Sequence, residues 1–232
     1  MAVSFAWGEL DHIILFCDHG APESDALKER GLHEGPANSH PGQGTSNRRF
    51  FFPNAYLEML WVDNPIDAQS DAVRPTQIWD RWKQRREGSC PFGLVFRPGG
   101  RREVETIPSW TYAPRYFPAG FTIEVAKEVP VNEPLLFYLP FARPALVEDI
   151  RSKTAHHAQI GAIVGATLHL PLTASLSPAL HALVAAGVVA IEPSREYLLD
   201  LFHVGGSKEF VDMRPELALR FRPARRASDA RH

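Results

Sequence analysis

Residues 39–62 read SHPGQGTSNRRFFFPNAYLEMLWV: a loop of glycines and small polar residues, then two apolar runs set back to back across Pro53-Asn54. Pro-Asn between such runs is a turn signal, so residues 48–52 and 55–62 read as paired strands. Alternate side chains of a strand share a face, which puts Glu58 on the side of Tyr56 and Leu60. A carboxylate among Leu57, Met59, Leu60 and Trp61 is costly to desolvate unless it meets a cation, a metal or hydrogen-bond donors. Residues 10–16, LDHIILF, form a continuous apolar run read as a buried strand, and they pose the same question with His12. If both strands lie in one sheet and both polar groups face one cavity, His12 and Glu58 can share a divalent metal. The competing reading leaves His12 bonded to backbone and pairs Glu58 with Arg48, Arg49 or Arg97.

Working outward, residues 21–30 (APESDALKER) read as a short helix, with Pro22 in its first turn, early acids, late bases and Gly31 as its stop. A brief strand at 32–35 and a loop at 36–45 lead into the hairpin, so the first unit is βαβββ. Residues 76–87 (TQIWDRWKQRRE) read as an amphipathic helix with Ile78, Trp79 and Trp82 on one side. The run 91–97 (PFGLVFR) then echoes the opening strand, and after a Pro, Gly and Arg-rich stretch at 98–118 come strands at 121–126 and 133–141. Superposing the echoes sets Glu124 of FTIEVA beside Glu58, and Phe92 in the place of His12. A polar, helical connection is expected at 146–157. Strands at 163–170, 188–191, 197–204 and 217–221, with a helix at 177–186 capped by Ser177-Pro178, make a third βαβββ-like pattern over 158–223. The tail 224–232, basic and polar, is expected to be disordered.

Composition narrows the function classes. The chain has 232 residues, 44% hydrophobic and 22% charged, ordinary for a globular protein with a sizeable core. A formal charge of −2 at pH 7 gives no overall field for nucleic acid or an anionic membrane. Cys17 and Cys90 are its two cysteines, too few for a disulfide framework or a thiolate zinc site. The opening MAVSFAWGELDH lacks the pattern of a secretory leader, and no apolar run reaches membrane length, so a cytoplasmic protein is expected.

LDHIILF, HPGQGTSN, FFFPNAYLEMLWV and FGLVFRP together resemble the vicinal oxygen chelate superfamily, specifically its glyoxalase-like domain proteins, over about residues 8–141. The resemblance implies an α+β fold in which paired βαβββ modules, here 8–64 and a degenerate 90–141 within a domain spanning 8–145, curl a mixed sheet into a cup. It also implies a divalent metal (Zn, Ni, Mn, Co or Fe(II)) held by first and last strands of each module. Carried over by position, His12 and Glu58 are ligands of module one, Glu124 is the last-strand ligand of module two, and Phe92 occupies the fourth place without coordinating. A His/Glu/Glu set leaves open positions for substrate. Modules of this superfamily pair within or between chains, so a homodimer is possible.

Other residues complete the expected site. Gly42 and Gly44 allow close backbone approach, Thr45 and Asn47 offer donors to an anionic or carbonyl ligand, and His40 is a candidate acid or base that shares catalysis with Glu124. In SWTYAPRYFP, Trp110, Tyr112, Arg115 and Tyr116 are placed at the mouth of the cup, Arg115 to meet a carboxylate. His156, His157, His169, His181 and His203 lack ligand spacing and are read as structural. The expected function is a metal-dependent enzyme of lyase, isomerase or dioxygenase type, acting on a small oxygenated molecule and not on nucleic acid or membrane. The alternative is a metal-free small-molecule binding or resistance protein that uses the same cup.

Overall fold

The computed structural model describes residues 8–99, 107–143, 160–171 and 175–224. In chain order come β1 (Glu9–Phe16), α1 (Ser24–Glu29), β2 (Glu34–His40), β3 (Thr45–Phe51), β4 (Tyr56–Val62), α2 (Pro65–Ala68), a 3-10 turn (Arg74–Thr76), α3 (Ile78–Lys83), β5 (Phe92–Arg97), β6 (Ser109–Tyr112), β7 (Ile123–Ala126) and β8 (Leu135–Tyr138). They are followed by β9 (Ile160–Leu170), α4 (Pro178–Ala185), β10 (Ala190–Pro193), β11 (Leu198–Gly206), β12 (Val211–Asp212) and β13 (Leu219–Pro223).

The first eight strands form one mixed sheet, ordered β2-β3-β4-β1-β5-β8-β7-β6. Each half is wired alike: β1 runs parallel to β4, β5 runs parallel to β8, and β1 meets β5 antiparallel at the centre. Side chains from β2 at one edge to β7 near the other line a single cavity, so the sheet curls into a cup. Strand alternation sorts its two faces. Ile14, Phe16, Leu60, Val95, Ile123, Val125, Leu135 and Phe137 line the cup side. Ile13, Leu15, Leu57, Met59, Phe92, Leu94, Phe96 and Leu136 turn the other way and join the core shared with the second sheet.

Local elements depart from expectation where edge pairing outweighs propensity. The 36–45 loop is shorter than expected, because β2 continues to His40 and pairs with β3 at Asn38↔Asn47 and His40↔Thr45. The stretch 98–118, read from sequence only as rich in Pro, Gly and Arg, contains β6, which pairs with β7. Ala21 has φ 47°, outside the helical region, so α1 starts only at Ser24.

In the second sheet, strand, helix and strands succeed one another as expected, with β12 in addition. The order β10-β9-β11-β13-β12 nonetheless differs from that of module one, since β10 lies directly beside β9 in parallel and β11 beside β13. It thereby repeats the centre of the first sheet, an antiparallel pair (β9 and β11) with a parallel neighbour on each side. The expected connection at 146–157, with His156 and His157, and the tail from 225 lie outside the described residues. Among the described residues no helix is long and apolar enough to cross a membrane.

Candidate active site

The cup holds a cavity of about 120 Å³, and its polar wall comes from module one apart from Tyr116. His12 on β1 and Glu58 on β4 are near-opposite residues of neighbouring parallel strands, on the same face, and Glu58 Oε2 lies 3.2 Å from His12 Nε2. Asn47 on β3 donates from Nδ2 to Glu58 Oε1 at 2.5 Å. Arg48 turns to the other face and binds Glu34 and Asp25, while Arg97 binds Glu9 and Asp11. None of the three arginines that the competing reading offered pairs with Glu58; the imidazole does.

A bulge explains why His12 is held from both ends. Register with β5 slips between Leu10 and His12, leaving Asp11 as the extra residue, and its Oδ1 lies 2.7 Å from His12 Nδ1. Arg97 Nη1 donates to the other Asp11 oxygen at 3.1 Å. The His12 ring also stacks on Tyr56, with centroids 4.4 Å apart. Burial works against the charged imidazole, yet hydrogen bonds to Asp11 and Glu58 raise its pKa to about 9. Burial likewise works against the Glu58 carboxylate, but the hydrogen bond and charge of His12, with the Asn47 amide, bring its pKa down to about 2. At neutral pH the two form an ion pair.

The second imidazole behaves oppositely. His40, the last residue of β2, bonds through Nδ1 to Thr45 Oγ1 at 2.8 Å, and Gln43 Nε2 donates to the same hydroxyl at 2.9 Å. Tyr116 closes the ring of contacts: its hydroxyl donates to Gln43 Oε1 at 3.3 Å and its ring lies 4.6 Å from that of His40. Burial pushes the His40 pKa below its ordinary value, only partly countered by Glu58, whose Oε1 is 3.9 Å from His40 Nε2. His40 is therefore the neutral imidazole of the cavity.

The other expected site residues are placed elsewhere. Glu124 stands on β7, a middle strand, and alternation from Ile123 and Val125 points it away from the cup. There it accepts from Ser109 Oγ at 3.0 Å and Thr111 Oγ1 at 2.8 Å. The strand that takes β4's place in module two is β8, whose cup-facing residues are Leu135 and Phe137, and the β5 residue across from His12 is Val95. Phe92 faces the opposite core. The His12/Glu58/Glu124 metal set is thus not assembled: one member points out of the cup and module two offers apolar side chains. Among the described residues, no three His, Cys, Asp or Glu side chains are grouped to hold a metal ion.

Trp110 and Tyr112 pack in the apolar cluster of the cup, and Arg115 is exposed over Gly42. Of the four aromatic and basic residues expected at the mouth, Tyr116 lines the cavity, together with Phe117, Asn38, Gln43 and Arg49. Gln43 and Arg49 sat inside the decisive stretch, where their alternation with Thr45 and Asn47 along the hairpin was the available signal. Asp11 reaches His12 only through the bulge, which no spacing rule shows.

Residues 10–105 match the family model described as a glyoxalase-like domain. A search of curated proteins finds no match. Similar solved structures include a hypothetical protein from Staphylococcus aureus, 12% identical, covering 93% of this chain and 99% of that one with a TM-score of 0.45. Others are methylmalonyl-CoA epimerases: that of Streptomyces coelicolor in complex with 2-nitronate-propionyl-CoA (14% identity, 61% and 100% coverage, TM-score 0.40) and that of Mycobacterium tuberculosis (14%, 62% and 93%, 0.35). The domain match spans β1 to β5 and includes both members of the buried ion pair, so over those residues the chain is similar to the glyoxalase-like domain.

Proposed function

We propose that the cup is the active site of an enzyme that moves a proton at a carbon next to a carbonyl in a small oxygenated substrate, as isomerases, epimerases and some lyases do. The observation that carries this reading is the placement of two imidazoles about one carboxylate, Glu58 lying 3.2 Å from His12 Nε2 and 3.9 Å from His40 Nε2, with surroundings that raise the pKa of His12 and lower that of His40. Two titratable groups pushed apart in one pocket are suited to different roles. His40, neutral, accepts the proton from carbon. The electron pair of the broken C–H bond moves onto the carbonyl oxygen as an enolate, and the imidazolium returns its proton to carbon. Glu58 stabilises that imidazolium from 3.9 Å, and the charged His12 offsets negative charge that develops on the substrate.

The test is proton exchange in D₂O with a panel of small ketones and 2-oxo acids, followed by NMR. His40→Gln is expected to slow exchange 10²–10⁴-fold, the usual worth of a general base, with the fold intact. Because the metal set is not assembled, exchange is expected to survive chelation. Activity lost on chelation and restored by a divalent ion would turn His12 and Glu58 into ligands. Binding without exchange across the panel would make the cup a binding protein.

A further inference from the structure

The cavity wall carries one more charge, which proton transfer does not use. Arg49 on β3 is the direct cross-strand neighbour of Glu58 and lines the same cavity. It does not pair with Glu58, whose oxygens are taken by His12 and Asn47. Its Nε donates to the Pro36 carbonyl at 2.7 Å, and its guanidinium lies over the Phe51 ring, 5.4 Å from the centroid. Its two Nη groups have no hydrogen-bond partner and no carboxylate within ion-pair reach among the described residues. Arg48, Arg85, Arg97, Arg220 and Arg222 are each matched by an acid. His12 and Glu58 cancel each other, so the lining keeps one net positive charge, on Arg49.

We infer that Arg49 is the docking point for a substrate carboxylate, and that the ligand class is a small monoanionic 2-oxo or 2-hydroxy acid. This rests on the cup being the reaction site. A guanidinium held through Nε presents the remaining edge of its fork, the geometry that a carboxylate fills with two parallel hydrogen bonds. One cation in a cavity of about 120 Å³ matches one negative charge on a small molecule. Cross-strand neighbours have Cβ atoms about 5 Å apart, so a carboxylate on Arg49 sets the adjoining carbons beside Glu58 and His40.

The experiment compares pyruvate with methyl pyruvate by calorimetry and by NMR of the His40 and Tyr116 signals. Pyruvate is expected to bind at least tenfold more tightly than its ester. Arg49→Met should remove that preference and Arg49→Lys should keep part of it, with thermal unfolding run beside both variants. Equal binding of acid and ester overturns the inference, as does failure of both to bind at tens of millimolar, and neither result depends on a variant folding. A preference that survives in folded Arg49→Met overturns it too. Tight, Arg49-dependent pyruvate binding with no proton exchange keeps the carboxylate site and sinks the proton-transfer reading, so the two failures are told apart.

Discussion

The His12–Glu58 pair makes stability depend on pH in a direction that can be worked out. His12 has its folded pKa raised from 6.5 to about 9, so its contribution is complete below 6.5 and fades as pH rises through about 9. Glu58 is lowered from 4.5 to about 2, so its contribution is complete above 4.5 and fades as pH falls through about 2. The pair should therefore stabilise most fully between about pH 4.5 and 6.5, which denaturant unfolding across pH would show as a plateau falling on both sides. Glu58→Gln leaves a buried imidazolium facing a neutral amide and should cost about 3 kcal/mol. The same substitution should bring the NMR titration midpoint of His12 down from about 9, and a midpoint that stays there would mean that Asp11 alone holds the charge. Both members of this pair were legible in the sequence as polar residues inside apolar strands. Their convergence was expected only through a shared metal, and the direct ion pair was not read, because it depends on which strands become neighbours and in what register.

The β2–β3 hairpin turn positions the base. Residues His40 to Gly44 fold back so that the N–H groups of Gln43 and Gly44 both donate to the His40 carbonyl, and the Gly44 carbonyl accepts from Asp63 and Asn64 N–H groups at the start of α2. Gly44 has φ +74°, and a Cβ there would sit 2.2 Å from the Asn64 carbonyl oxygen and 2.7 Å from the Ala68 nitrogen, both backbone atoms that cannot step aside. Gly44→Ala should destabilise the protein by about 2 kcal/mol and displace His40 from Thr45. Exchange should then fall even in the folded fraction, which separates a positioning defect from simple unfolding. Here the sequence was readable in part: the glycines and Thr45 marked a built loop. Assigning Glu124 by the likeness of FTIEVA to AYLEML failed, because a short apolar run with one acid shows neither its rank in the sheet nor its face. Only the parallel pairing of β5 with β8 shows that the last strand of module two is the all-apolar LLFY.

The two sheets share one core, which bears on how the molecule unfolds. Phe52 of the first hairpin meets Phe221 of β13 edge-on, with centroids 5.7 Å apart, inside a buried cluster drawn from both sheets. Asn54 at the hairpin turn exchanges two hydrogen bonds with Ile163 of β9, accepting from its N–H at 2.8 Å and donating to its carbonyl at 2.7 Å. Glu133 accepts from the Ser177 backbone N–H and hydroxyl where α4 begins, and the Tyr197 hydroxyl donates to the Gly88 and Asn132 carbonyls. Joined in this way, neither sheet keeps its apolar back covered without the other, so unfolding should be one cooperative transition. The tryptophans make this measurable, since the four described ones, Trp61, Trp79, Trp82 and Trp110, stand on or beside the first sheet and the second sheet has none, while far-UV circular dichroism reports on both. The two signals should give one midpoint in denaturant. In Asn54→Ala that common midpoint should move down, by about 1–3 kcal/mol for the backbone groups of Ile163 left unpaired. A fluorescence transition separated from the dichroism transition would show that the sheets unfold independently and that the shared core is too weak to couple them.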